Sequence, residues 1–109
     1  MELNSMGFIR GYMSKSYSNE EFIIHVGETI ERQLQEWDEA YQVNIMKFKD
    51  YIFIVKKGDI DYRVDISEQS LAELQNKSPY SLDKRIWLEL KNQGLEIKMG
   101  YGDYLHKVL

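Results

Sequence analysis

Three short runs rich in β-branched and aromatic side chains, residues 43–48, 51–57 and 60–66, follow one another with only two residues between each. Connections that short leave no room for a crossover, so the runs pair as an antiparallel meander. The connections are Lys49-Asp50 and Gly58-Asp59. Two-residue turns suit both, the second more strongly because glycine accepts positive φ. Taken as two-residue turns, they set the register. Phe48 then opposes Tyr51 and Met46 opposes Phe53, while Val55, Phe53 and Tyr51 oppose Tyr62, Val64 and Ile66. Alternation along the strands gathers Met46, Phe48, Tyr51, Phe53, Val55, Ile60, Tyr62, Val64 and Ile66 on one apolar face, which is the expected core face. The second face is mixed: Val43, Ile45, Ile52 and Ile54 are apolar, Lys56 lies opposite Asp61, and Arg63 and Asp65 make the third strand polar.

A long helix precedes the meander. Ser18-Asn19-Glu20-Glu21 fits a capping box, and Ile23, Val26, Ile30, Leu34, Trp37 and Tyr41 recur at spacings of three and four. This predicts about six turns with one apolar stripe, Gly27 being a tolerated weak spot. After Ile66, Ser67 caps a helix to about Lys77, and Ser78-Pro79-Tyr80 breaks the chain. Ser81 caps a further helix that stops at Gly94. Leu95, Ile97, Met99 and Tyr101 alternate with Glu96 and Lys98 and read as a fourth strand. Residues 103–109 read as a short helix or a returning strand. Residues 7–13 fit a short strand or a helical turn, and residues 1–6 a frayed start. The expectation is one α+β domain over 1–109, in the order α-β-β-β-α-α-β. That element order is similar to that of small acidic secretion chaperones, which are dimers that bind other proteins; element order alone carries no function.

Composition narrows the function classes. The chain has 109 residues, 43% of them hydrophobic, and no cysteine. That is enough for one core, and it excludes disulfides and thiolate metal sites. No apolar run approaches the ~18 residues of a bilayer span, and no secretory leader is legible, so a cytoplasmic location is expected. The net charge of −4 is unevenly placed. Glu20, Glu21, Glu28, Glu31, Glu36, Asp38 and Glu39 face a single base, Arg32, within residues 19–42. Glu28, Glu31, Glu36 and Glu39 could therefore offer an acidic surface to a basic partner, or form an ordinary solvated helix face.

No catalytic signature emerges. Glu21, His25 and Glu28 share a helix face at spacings of four and three, an incomplete metal pattern. His106 follows Asp103 and Tyr104, and no serine elbow accompanies it. Gly100-Tyr101-Gly102-Asp103 lacks the lysine of a phosphate loop. Residues 67–109 have the element order of a winged helix with Lys84, Arg85 and Lys91 on the reading helix. Ile86, Trp87, Leu88 and Leu90 make that helix apolar around most of its circumference, and residues 76–109 hold six bases against four acids, which speaks against nucleic acid. The second face of the sheet is the main pointer. Val43, Ile45, Ile52 and Ile54, rimmed by Lys47, Lys56 and Arg63, have the greasy centre and charged rim of an interface. The resulting expectation is a non-catalytic protein-interaction module, open to self-association, with no cofactor, metal or small-molecule ligand. The alternatives are a DNA-binding regulator using residues 67–109, or a small enzyme or metal protein using His25 or His106.

Overall fold

Ser18 starts the first helix by exchanging hydrogen bonds with Glu21. The Glu21 N–H donates to Ser18 Oγ at 3.2 Å, and the Ser18 N–H donates to Glu21 Oε1 at 3.1 Å. This capping box satisfies two backbone donors that a helix start leaves unpaired. In the computed structural model, which describes residues 18–98 and 103–109, the elements are α1 (Asn19–Trp37), β1 (Gln42–Lys47), β2 (Tyr51–Lys57), β3 (Ile60–Ile66), α2 (Glu68–Lys77), α3 (Ser81–Asn92) and α4 (Asp103–Val108). The expectations for residues 1–17 and 99–102 lie outside the described residues. The α+β class and the order through α3 agree with the sequence reading. The C-terminal end differs: residues 95–98 carry no regular structure, and residues 103–108 are helical.

α1 buries Ile23, Val26, Ile30 and Leu34 completely, and Phe22 with them. It ends at Trp37, earlier than the apolar spacing suggests, with Asp38 as its C-cap. Asp38 is also held in a local turn by the Ala40 N–H, which donates to Asp38 Oδ1 at 3.0 Å. Tyr41 still joins the core, from beyond the helix.

The sheet has the order β1-β2-β3, both pairs antiparallel. The second hairpin has the expected register, with Tyr51, Phe53 and Val55 opposite Ile66, Val64 and Tyr62. Gly58 takes φ of +61° in its turn, as a II′ turn requires of its first central residue. The first hairpin is displaced by one residue from expectation. Lys47 opposes Tyr51, Ile45 opposes Phe53 and Val43 opposes Val55, so the connection is the three residues Phe48, Lys49 and Asp50. Turn chemistry explains the shift. A two-residue primed turn needs positive φ at its centre, Lys49-Asp50 offers no glycine, and no described non-glycine residue adopts positive φ.

A one-residue shift exchanges the faces of β1. Val43 and Ile45 therefore turn inward and pack against the core, whereas Met46 and Phe48 turn out, 40% and 67% exposed. Ile60 belongs to the inner face by parity but lies at its end and is 54% exposed. The core proper is Phe53, Val55, Val64 and Ile66 against α1, closed by Leu71 of α2 and by Leu82, Ile86, Trp87 and Leu90 of α3.

Ser67 caps α2 as expected, accepting from the Ser70 N–H at 3.1 Å. Ser81 is the first residue of α3 and not its cap: the N-cap is Tyr80, and Ser81 Oγ lies 2.5 Å from Ser78 Oγ. α3 stops where Gly94 turns to φ of +103°. The Leu95 N–H then reaches Leu90 O and the Gly94 N–H reaches Lys91 O, both at 3.0 Å, the two bonds of a Schellman motif. The exit also shapes the sheet. Gln93, at the C-cap, accepts from the Arg63 N–H at 3.1 Å and donates to the Arg63 carbonyl at 2.6 Å, completing the outer backbone pair of β3. Arg85 adds a bond to the Asp65 carbonyl at 3.4 Å. α3 thereby closes one edge of the sheet.

Gly27 marks the closest approach of α1 to the sheet. A Cβ there would lie 2.6 Å from Ile45 Cδ1 and 3.4 Å from Phe53 Cε2. Glycine is thus retained at about 1 kcal/mol of helix propensity because β1 passes directly beneath it. Gly27→Ala is expected to gain little stability in the native background, where Ile45 Cδ1 must be displaced. On an Ile45→Val background that atom is gone, and the same change is expected to recover about 1 kcal/mol. Chemical denaturation of the four proteins of this cycle measures the coupling, and strictly additive effects would contradict the contact.

Candidate functional site

β2 shows how the two faces of the sheet differ. Tyr51, Phe53 and Val55 are buried, while Ile52 and Ile54 between them are only half-buried. On the flanking strands the outward residues Asn44 and Met46 of β1 and Asp61, Arg63 and Asp65 of β3 are exposed. The outer face therefore carries an apolar centre of Met46, Ile52 and Ile54, with Phe48 at its corner. Two charge pairs frame it: Lys56 Nζ lies 3.7 Å from Asp61, and Arg63 Nε lies 2.7 Å from Asp65. Of the six interface residues expected from the sequence, Ile52, Ile54, Lys56 and Arg63 lie on this face. Val43 and Ile45 do not, because the register of β1 directs them beneath α1. Met46 takes their place.

The acidic helix is divided in the same way. Glu28, Glu36 and Glu39 are exposed, but Glu31 is half-buried and accepts the Val43 N–H at 2.9 Å. That carboxylate covers the outward backbone of the edge strand, so it is not part of a free acidic surface. Asp38 is also engaged. The Ala40 N–H and then Lys57, whose Nζ is 3.2 Å away, hold its carboxyl below the usual carboxylate range. The same bond holds Lys57 above the usual lysine range, and its ammonium also sits 5.1 Å from the centre of the Tyr41 ring. Beside Glu31, a notch of about 200 Å³ lies between α1 and β1, lined by Ile24, Gly27, Glu28, Glu31, Val43 and Ile45. It is smaller than the ~300 Å³ at which ligand pockets begin.

The sequence reading missed a buried polar cluster. Asp83, fully buried on α3, accepts from the Tyr104 hydroxyl of α4 at 2.5 Å, and that hydroxyl accepts the Trp87 indole N–H at 3.1 Å. Trp87 packs 5.8 Å from Trp37, and Tyr104 packs 6.3 Å from Tyr80, centre to centre. A signal was present: Asp83, Trp87 and Leu90 fall at helical spacing, so an acid sat on the apolar stripe of α3. The cluster is enclosed, and its geometry joins α4 to α3.

Neither histidine acquires a constellation. His25 is half-buried, and Glu21, its expected neighbour, turns back to Ser18. His106 is exposed on α4. Among the described residues no three of His, Asp and Glu converge as metal ligands. α3 buries Leu82, Asp83, Ile86, Trp87 and Leu90 and exposes Lys84, Leu88 and Lys91, while Arg85 is held 3.1 Å from Glu89. None of the described helices is long and apolar enough to cross a membrane. Comparison of the chain with protein-family models, with curated proteins and with solved structures finds no match.

Tyr104→Phe removes the hydroxyl that serves both Trp87 and Asp83 while keeping the ring. Loss of a hydrogen bond to a buried carboxylate is expected to cost about 2 kcal/mol, and Trp87 emission should shift as its N–H loses its partner. A melting temperature and an emission spectrum equal to those of the native chain would show that the cluster does not hold α4 in place.

Proposed function

We propose that the chain is a small non-catalytic protein-interaction module of the cytoplasm that self-associates through the outer face of its sheet. One observation carries this reading: the inner face buries Tyr51, Phe53, Val55, Val64 and Ile66, whereas the outer one presents Met46, Ile52, Ile54 and Phe48 without a described helix over them. Its frame is neutral, Lys56 and Arg63 balancing Asp61 and Asp65, which suits a second identical face better than a strongly charged partner. The face is flat, so it favours a protein surface over a small molecule. The lack of cysteine fits a reducing compartment.

Size sets the expected strength. Three strands ~4.8 Å apart and six residues long give a face of roughly 300 Å². Standard stable interfaces bury about 800 Å² per partner, so this contact belongs to the weak, reversible class. Sedimentation equilibrium over micromolar to millimolar concentrations is expected to show a reversible dimer. Met46→Lys with Ile54→Lys should abolish it while leaving the melting transition cooperative. A chain that stays monomeric throughout that range, or a dimer that both lysines leave intact, would overturn the reading.

A further inference from the structure

The molecule is acidic overall, yet one of its grooves is lined by bases alone among its charged residues. It runs between the C-terminal end of α2, the 78–81 turn, the outer side of α3 and α4, and encloses about 490 Å³. Lys77, Lys84, Arg85 and Lys107 reach it from three different helices. Its walls are apolar, with Leu74, Pro79, Leu88 and Val108 among the lining residues. Leu88 is 42% exposed, a large apolar side chain facing solvent on a helix whose other large apolar residues are buried.

We propose that this groove binds an acidic peptide segment of a protein partner, one that places an apolar side chain beside Leu88 and carboxylates near Lys77 and Lys84. Charge complementarity selects the occupant. The four cations come from three helices around an apolar strip, so a complementary ligand presents several spaced negative charges together with an apolar group. The groove is partly open to solvent, which suits a chain segment lying across it rather than a small molecule enclosed on all sides. Nucleic acid fits less well. Arg85, the one guanidinium, is already held by Glu89 at 3.1 Å and by the Asp65 carbonyl at 3.4 Å, so its fork is not presented to a phosphate. The net charge of −4 further opposes a polyanion as long as a duplex. This surface is separate from the outer face of the sheet, and the inference does not depend on self-association.

The test uses the intact chain and three fluorescent probes at low salt: a peptide of alternating glutamate and leucine, a glutamate-only peptide of equal charge, and a short DNA duplex. Anisotropy titrations are expected to show micromolar binding of the glutamate–leucine peptide, at least tenfold weaker binding of the glutamate-only peptide, and little binding of the duplex. Lys77→Glu with Lys84→Glu should weaken the mixed peptide at least tenfold, and Leu88→Ala several-fold. Lys77, Lys84 and Leu88 are exposed, so these variants should fold, and the sedimentation behaviour of the chain should not change. Absence of peptide binding, equal binding of the two peptides, tighter binding of the duplex, or indifference to the double substitution would each overturn the proposal.

Discussion

The rest of the structure depends on the alignment of β1 beneath α1. Val43 and Ile45 lie directly opposite Val55 and Phe53, and Gly27 lets the helix backbone come down onto Ile45. Because side chains alternate with a period of two, this alignment decides which half of β1 is core and which is surface. It places two β-branched residues against the fully buried centre of the sheet. It also leaves Met46 and Phe48, both large and apolar, on the outside. An exposed apolar outer face is therefore the direct consequence of how the inner face is packed.

The two edges of the sheet are treated unequally. α3 closes the β3 edge with Gln93, which bonds both backbone groups of Arg63, and with Arg85 on the Asp65 carbonyl. On the β1 edge the described residues supply only Glu31, on the Val43 N–H. Since Val43 points its N–H outward, Ile45 and Lys47 have the same orientation, because the pairs alternate along an antiparallel ladder. The more open side of the sheet thus lies next to the apolar patch of the outer face, and the best-sealed side lies next to α3. Charge follows the same division, with the exposed acids of α1 near the β1 edge and the four bases of the groove grouped around α3.

Much of this was legible in the sequence, and the misses have definite causes. The capping box at Ser18, the stripe on α1, the stop at Gly94 and the register of the second hairpin each rest on one local rule, and each is present. The first hairpin failed because β1 is apolar on both parities: Val43 and Ile45 compete with Met46 and Phe48, so hydrophobic pattern cannot choose between them. Turn chemistry chose, and Lys49-Asp50 is a poor two-residue turn. The fourth strand failed for a related reason. Leu95 is buried and Ile97 half-buried, with Glu96 and Lys98 exposed between them, so the alternation is real. It reflects a segment without regular structure that lays Leu95 and Ile97 on the core, and alternation does not specify a hydrogen-bonded neighbour. The groove was invisible because its lysines come from three helices, and the Asp83–Tyr104–Trp87 cluster because its partners are far apart in sequence.

The described surface presents a neutral, apolar sheet face and, apart from it, a groove whose charged lining residues are all basic. The sheet face depends on the β1 alignment, since a shift by one residue would bury Met46 and expose Ile45. Cross-strand contacts between α-protons, measured by NMR on the native chain, test that alignment most directly. Pairs outside the hydrogen-bonded positions bring their Cα atoms to about 4.5 Å, which makes such contacts strong. The account predicts contacts joining Val43 to Val55 and Ile45 to Phe53. A pattern displaced by one residue, with Met46 opposite Phe53, would contradict it.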